Sequence, residues 1–111
     1  MLLVAFDVDD TLIIPAIATG FDQDVPNYDT IAVYRWFQAQ GHEMIVWSGG
    51  GADYARMWAD KLGLAPNMCL DKHDAGVTPH LAFDDSDLTL AQVNVNVRRT
   101  NNRVVRYPDR V

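Results

Sequence analysis

Residues 4–13 read Val-Ala-Phe-Asp-Val-Asp-Asp-Thr-Leu-Ile, an apolar run that ends in closely spaced carboxylates. Side chains two positions apart in a strand point the same way, so a strand over residues 2–8 is predicted to present Asp7 and Asp9 together at its end. Proteins of the α/β class place their chemistry at the carboxyl ends of parallel strands. Carboxylates this close repel each other unless a cation lies between them, and the oxygen-seeking ion Mg²⁺ meets that requirement.

Two further apolar runs end in residues suited to the same chemistry. Residues 44–47 lead into Ser48 and three glycines, whose backbone N–H groups can approach an anion closely. Residues 79–83 lead into Asp84 and Asp85. Lys72 lies between these two runs, after a short strand predicted over residues 67–70. Helical periodicity separates the first runs, which implies parallel strands joined by right-handed crossovers.

Taken in order, these segments resemble the four motifs of the haloacid dehalogenase-like (HAD) superfamily of hydrolases. The resemblance covers residues 2–87, most of the chain. It implies a three-layer α/β/α Rossmann-like fold with a mainly parallel sheet. The residues that carry it are Asp7, Asp9 and Thr11 in the first motif, Ser48 in the second, Lys72 in the third, and Asp84 and Asp85 in the fourth.

The resemblance also implies an activity, a Mg²⁺-dependent phosphohydrolase that acts through an aspartyl-phosphate. Asp7 would attack phosphorus, while Asp9 would protonate the leaving group and then activate water. The implied magnesium ligands are Asp7, the backbone carbonyl of Asp9, Asp84 and Asp85.

Phosphate-binding roles follow from the same resemblance. Ser48 and the Gly49 amide would hold phosphoryl oxygens, and Thr11 would help to shape the first loop. Lys72 would neutralise the attacking carboxylate and clamp the phosphate. Lys61 and Arg56 are the other candidates for that role. A helix predicted over residues 52–62 places both of them away from the strand ends.

Other functions use part of this pattern. A receiver domain would need its phospho-accepting aspartate in the middle of the chain, where only Asp71 is available. A phosphotransferase or a nucleic-acid 3′-phosphatase could use the same residues, and a non-catalytic module could bind Mg²⁺ and a phosphorylated ligand. The presence of both Asp7 and Asp9 argues against that last alternative, and a dehalogenase would need neither Asp9 nor the fourth-motif acids.

The 111 residues are predicted to form a single domain, and the resemblance implies the branch of the superfamily that lacks a cap domain. Residues 13–26 leave room for a turn and a small flap after the first motif, and nothing more. The site is therefore expected to be open, which favours a large or polymeric phosphate ester or a nucleotide as the phosphorylated substrate. Nucleic acid stays open as a partner, and the oligomeric state is not indicated.

Periodicity predicts the remaining elements. A helix over residues 28–40 has two candidate apolar faces, one with Ile31, Tyr34, Phe37 and Gln38 and another with Val33, Trp36 and Phe37. The helix over residues 52–62 is expected to bury Ala55, Trp58, Ala59 and Leu62 and to stop at Gly63. Residues 86–92 allow a helix of at most about two turns. Alternating valines from Val93 to Val97 predict a half-buried strand and a C-terminal hairpin over residues 93–107.

Composition narrows the cellular setting. No apolar stretch is long enough to span a bilayer, so no membrane partner is expected. A single cysteine, Cys69, and the lack of a basic leader point to the cytoplasm. The net charge is −6, but five arginines lie after residue 97. These arginines could steer an anionic substrate or form a solvated sheet edge.

Overall fold

The computed structural model describes residues 1–19 and 22–98 of the chain. The second strand of the predicted C-terminal hairpin and four of the five C-terminal arginines lie outside these residues. In chain order the elements are β1 (Leu3–Asp7), β2 (Ile13–Ile14), α1 (Ala16–Thr19), β3 (Val25–Pro26), α2 (Tyr28–Ala39), β4 (Glu43–Ser48), α3 (Ala52–Leu62), β5 (Met68–Asp71), β6 (Leu81–Asp84) and β7 (Val93–Asn96).

Five strands form a sheet in the order β5-β4-β1-β6-β7, and every neighbouring pair is parallel. The central strands are covered on both faces, which explains why they read as continuous apolar runs in the sequence. Val4, Ala5 and Phe6 of β1 are completely buried. The predicted α/β class and parallel sheet are therefore confirmed.

Both long helices pack on the same face of the sheet. The crossovers from β1 to β4 and from β4 to β5 run in one direction across the sheet, so right-handed connections place α2 and α3 together. Tyr34 of α2 and Ala55 of α3 share one core cluster with Phe6 and Val46.

Irregular chain covers the opposite face. Ile45 and Trp47 are buried there beneath Ala75, Leu90 and Ala91. The short helix considered for residues 86–92 does not form. The Asn94 amide instead accepts the backbone N–H groups of residues 90 and 91 and donates to the carbonyl of residue 91, which satisfies groups that a helix would pair.

The helix faces are decided by packing against the sheet. In α2, Ile31 and Tyr34 are buried, whereas Val33 and Trp36 are 39% and 58% exposed. The first candidate face was therefore right and the second wrong. In α3, Ala55, Trp58 and Ala59 are buried as predicted, and Leu62 is partly buried against the same core. The helix ends at Gly63, which has a left-handed φ of 65°.

The flap segment folds beside the first motif. β2 and β3 pair antiparallel, with Ile13 opposite Pro26 and Ile14 opposite Val25. The chain between them carries the one-turn helix α1, whose Ala16 N–H is accepted by Asp24 Oδ1 at 2.8 Å. Within the described part of the chain no helix has the length and apolar content needed to cross a membrane.

The strand β7 differs from its predicted environment. It pairs parallel with β6, but Val93 and Val95 are 56% and 37% exposed. The half-buried pattern expected from the alternating valines is therefore wrong for β7 within residues 93–96. Val97, one residue beyond the strand, is the valine that packs against the core.

Candidate active site

The carboxyl ends of three neighbouring strands bring the predicted residues together. Asp7 ends β1 at the centre of the sheet, Ser48 ends β4 on one side and Asp84 ends β6 on the other. The connections leaving β1 and β6 run in opposite directions, and such a reversal opens a crevice between neighbouring strands. All three residues are nonetheless almost fully buried, at 3–4% exposure.

Three carboxylates converge at this crevice. Asp7, Asp84 and Asp85 each place one ligand atom within 4.8 Å of the other two, with Asp85 the most exposed. Burial and the nearby charge of Asp84 raise the pKa of Asp7 to about 7, and burial raises the pKa of Asp85 as well. A bound cation would remove this repulsion, and three carboxylate oxygens are ligands that a hard divalent cation prefers. The donor set therefore fits a metal such as Mg²⁺.

Lys72 lies between two of these acids. Its Nζ is 3.3 Å from Asp7 Oδ1 and 3.0 Å from Asp84 Oδ2, and all three side chains are less than 10% exposed. Burial by itself lowers the pKa of Lys72, but the charges and hydrogen bonds of Asp7 and Asp84 raise it overall, so the ammonium group stays charged. The backbone N–H of Lys72 donates to the Ser48 carbonyl at 2.9 Å, which fixes the loop after β5 against the end of β4.

The other two basic candidates lie elsewhere. Lys61 and Arg56 are both exposed on α3, and Lys61 Nζ sits 4.9 Å from the centre of the Trp58 ring. The structure thus brings Lys72 to the acids, as the sequence predicts, and leaves its two rivals on the helix surface.

A tight turn after β1 holds Asp7 in place. The carbonyl of Val8 accepts three backbone N–H groups, from residues 11, 12 and 13, at 3.0–3.2 Å. Asp10 takes a left-handed φ of 63°, a conformation that few non-glycine residues adopt and that aspartate tolerates better than most. Thr11 is completely buried and its Oγ1 donates to Asp7 Oδ2 at 3.4 Å. This position suits the predicted role of Thr11 in shaping the loop, and its hydroxyl faces the nucleophile candidate.

The second-motif loop wraps around Ser48. Its Oγ accepts the Gly50 N–H at 2.9 Å, which orients the hydroxyl group. A Cβ atom at Gly49 would lie 3.1 Å from His73 Nε2, so the missing side chain lets the His73 ring sit close to this backbone. The Gly49 amide as a phosphate donor stays a prediction, and His73 is a neighbour that the motifs did not single out.

Asp9 lies apart from the three-acid cluster and has its own partner. The carboxylate is exposed, and Tyr54 donates its hydroxyl to Asp9 Oδ1 at 2.7 Å. Burial, followed by the hydrogen bond with Asp9, raises the pKa of Tyr54 to about 12, so the hydroxyl keeps its proton near neutral pH. The predicted metal contact of Asp9 involves its backbone carbonyl and stays a prediction.

Sequence reasoning missed Tyr54 altogether. The available signal was its place in the first turn of the helix that follows the glycine loop, because that turn faces the strand ends. Nothing local links a tyrosine there to an aspartate 45 residues earlier.

Two histidines bind the backbone at the opposite end of the sheet. His42 Nδ1 and His80 Nδ1 accept the backbone N–H groups of Leu2 and Leu3 at 3.0 and 2.9 Å. They tie down the start of β1, whereas Asp7 lies at its end.

The raised pKa of Asp7 predicts how the metal-free protein responds to pH. Between the ordinary aspartate value of 3.8 and about 7, the folded chain keeps a proton on Asp7 that the unfolded chain has lost. The folded state binds more protons in this window, so stability is expected to fall as pH rises through it. Thermal unfolding in a chelator from pH 4 to pH 8 measures the effect.

The matched controls isolate Asp7. Asp7→Asn should flatten the decline, whereas Asp60→Asn, at an exposed position on α3, should retain it. An identical pH profile for the native chain and Asp7→Asn would show that Asp7 is not the group responsible.

Comparison with known proteins identified no relative of this chain. The chain matched no model of a protein family, no curated protein and no solved structure.

Proposed function

We propose that the chain is a Mg²⁺-dependent phosphohydrolase of the HAD superfamily, in its capless branch, that acts through an aspartyl-phosphate on Asp7. The convergence of Asp84, Asp85 and Lys72 on a buried Asp7 at the reversal point of a parallel sheet is the observation that carries this proposal. Phosphoryl transfer needs a nucleophile, a proton carrier, a cation and positive clamps. The site supplies side chains for the nucleophile, the proton carrier and a positive clamp, and it supplies the carboxylates that would bind the cation.

In the first step an Asp7 carboxylate oxygen forms a bond to phosphorus, and the bond from phosphorus to the leaving oxygen breaks. Asp9, protonated at that moment, gives its proton to the departing alkoxide. In the second step Asp9 takes a proton from water as the water oxygen attacks phosphorus. The bond between phosphorus and the Asp7 oxygen then breaks, which releases inorganic phosphate and restores Asp7.

The positive groups act on the phosphoryl oxygens during both steps. A magnesium ion held by Asp7, Asp84 and Asp85, with the Asp9 carbonyl, would supply charge neutralisation at the phosphoryl group. Lys72 would share its two carboxylates with that ion, which leaves its third N–H to donate to the phosphate. Ser48, oriented by Gly50, would donate its hydroxyl proton to a phosphoryl oxygen.

The proposed fold is a reduced version of the three-layer arrangement. The α2 and α3 layer and the sheet are in place, whereas the opposite face carries irregular chain in the described segments 72–80 and 85–92. Because these segments still bury Trp47 and Ile45, the sheet keeps a covered second face without a helical layer.

The substrate we propose is a phosphate ester on a large or polymeric molecule, or a nucleotide. The flap between β2 and β3 is short and Asp9 is exposed, so nothing in the described flap closes over a small substrate. Nucleic acid is a candidate because Arg98 is exposed and further arginines follow it in the sequence. A cytoplasmic setting is proposed from the single thiol, Cys69.

The primary test of this function is hydrolysis of an aryl phosphate with and without Mg²⁺. We expect turnover only with the metal, and a fall of about a hundredfold or more in Asp84→Asn, because a ligand and a Lys72 partner are lost together. The control Asp87→Asn, at an exposed position just beyond the acid pair, should retain native activity. Metal binding without turnover of any phosphate ester would favour a phospho-ligand-binding module instead.

Metal binding has a readout that does not depend on turnover. Mg²⁺ at a hundred times its dissociation constant is expected to stabilise the native chain by about 2.7 kcal/mol. For a domain of this size that corresponds to a rise in Tm on the order of 10 °C. Asp84→Asn should lose most of the rise and Asp87→Asn should keep it, and an equal rise in both would place the ion elsewhere.

A further inference from the structure

We propose that Tyr54 is a positioning residue for Asp9, holding one carboxylate oxygen so that the other carries the proton exchanged with the leaving group and with water. The inference rests on the proposed function and adds to it a residue that none of the four motifs contains. Tyr54 acts through Asp9 and is not itself assigned a contact with substrate.

The hydrogen bond between Tyr54 and Asp9 has the length of a well-formed hydroxyl–carboxylate bond. Tyr54 donates to Asp9 Oδ1 at 2.7 Å, a length typical of a hydroxyl bound to an oxygen acceptor. Within residues 1–19 and 22–98, the Asp9 side chain makes no hydrogen bond other than the one from Tyr54, so this bond alone holds it. An exposed aspartate without a partner would sample several rotamers, and a proton carrier has to be placed accurately to work.

Tyr54 is itself held in place. A Cβ atom at Gly50 would lie 3.3 Å from Tyr54 Cδ2 and 3.5 Å from Cγ, so the ring rests against the backbone of the second-motif loop. The next residue, Ala55, is completely buried against the sheet, which fixes the first turn of α3. The same Gly50 N–H donates to Ser48 Oγ, so one loop positions both the proposed phosphate ligand and the tyrosine that holds the acid.

This arrangement gives the two oxygens of the Asp9 carboxylate different roles. Oδ1 is occupied as an acceptor, which leaves Oδ2 free to bear the proton. The tyrosine ring has only two side-chain torsions, so ordering it costs little conformational entropy. Asp9 thus keeps an exposed position, where a bulky leaving group can reach it, without losing its orientation.

The experiment compares two substrates in Tyr54→Phe with Mg²⁺ present. An alkyl phosphate has a poor leaving group that needs Asp9 as an acid, whereas p-nitrophenyl phosphate has a good one that needs it far less. We expect kcat/KM to fall about 10- to 100-fold for the alkyl ester and about threefold or less for the aryl ester. The matched control is Tyr28→Phe, a 73% exposed tyrosine on α2, which should leave both values unchanged.

A second arm tests whether the effect passes through Asp9. In an Asp9→Asn background, Tyr54→Phe should cause no further loss with the alkyl ester, because the group that it orients is gone. Equal losses on both substrates in the native background, or an additive loss in the Asp9→Asn background, would overturn the inference and leave the phosphatase proposal intact. Absence of turnover by the native chain on every ester would overturn both.

Discussion

Asp7→Asn is expected to lower Mg²⁺-dependent phosphate-ester hydrolysis by about a thousandfold or more and, in the same protein, to raise the Tm measured without metal. The amide cannot attack phosphorus, which accounts for the loss of rate. The gain in stability has a separate cause. Burial and the charge of Asp84 outweigh the attraction of Lys72 and raise the pKa of Asp7 to about 7, so ionising Asp7 at pH 7.5 costs the folded chain free energy, and without that carboxylate Lys72 keeps Asp84 as a partner at 3.0 Å. Activity assays and thermal unfolding in a chelator at pH 7.5 measure the two effects.

The opposite directions of these changes make the prediction specific. A residue that only supports the fold would lose activity and stability together when it is replaced. Asp60→Asn, on the exposed surface of α3, is the control that should change neither. Residual activity within tenfold of the native value in Asp7→Asn would contradict the assignment of Asp7 as the nucleophile.

Lys72→Met carries the second large expected effect. Removing the ammonium group leaves Asp7 and Asp84 buried without the cation that lies 3.3 and 3.0 Å from them. Breaking a buried pair in this way typically costs about 3–5 kcal/mol, and protonation of Asp7 near neutral pH should reduce that to about 2–3 kcal/mol. We also expect activity to fall by about a hundredfold or more, because a positive clamp on the phosphate is lost. Thermal unfolding without metal and the aryl-phosphate assay measure the two effects.

Magnesium and a second lysine provide the checks on that result. Mg²⁺ should narrow the stability gap between Lys72→Met and the native chain, since a divalent ion supplies the missing positive charge. Lys61→Met is the matched control. It removes only an exposed contact with the Trp58 ring and should cost about 1 kcal/mol or less. A larger loss of activity in Lys61→Met than in Lys72→Met would exchange their roles.

The strands and helices that position the site could be predicted because their signals lie in the local sequence. Continuous apolar residues over 4–6, 44–47 and 82–83 identify strands buried on both faces, and each run ends in the polar residue that the strand end presents. The order of these strands with the intervening helices then requires parallel pairing, which brings Asp7, Ser48 and Asp84 to one edge. Gly63 marked the end of α3 for the same local reason, since its φ of 65° suits glycine.

The remainder depends on contacts distant in sequence. The side chain of Asn94 replaces a helix in the segment before β7, and composition alone does not distinguish that outcome from a short helix. The choice between two apolar faces of α2 depended on how the helix meets the sheet and on the bond from the Tyr34 hydroxyl to the Leu64 carbonyl. The exposure of Val93 shows that alternation predicts the strand but not what covers it.

The residues of the candidate site also differ in whether local sequence predicts them. The acid cluster and Lys72 could be predicted because each residue ends or follows a recognisable strand. Tyr54 could not, since its meaning arises only when α3 packs beside the turn after β1 and sets its hydroxyl on Asp9. Tertiary placement, and not residue type, made it part of the site.

The most direct test of the proposed mechanism is to trap the phosphoryl group on the chain. Asp9→Asn should slow hydrolysis of the aspartyl-phosphate more than its formation from an aryl phosphate, so the intermediate should accumulate. Acid quenching during turnover with Mg²⁺, followed by mass analysis of peptides, is predicted to find one phosphoryl group on Asp7, removable by hydroxylamine. Turnover by the native chain with no phosphoryl group on Asp7 in either protein would contradict an aspartyl-phosphate on Asp7 and point to direct attack of water on the substrate.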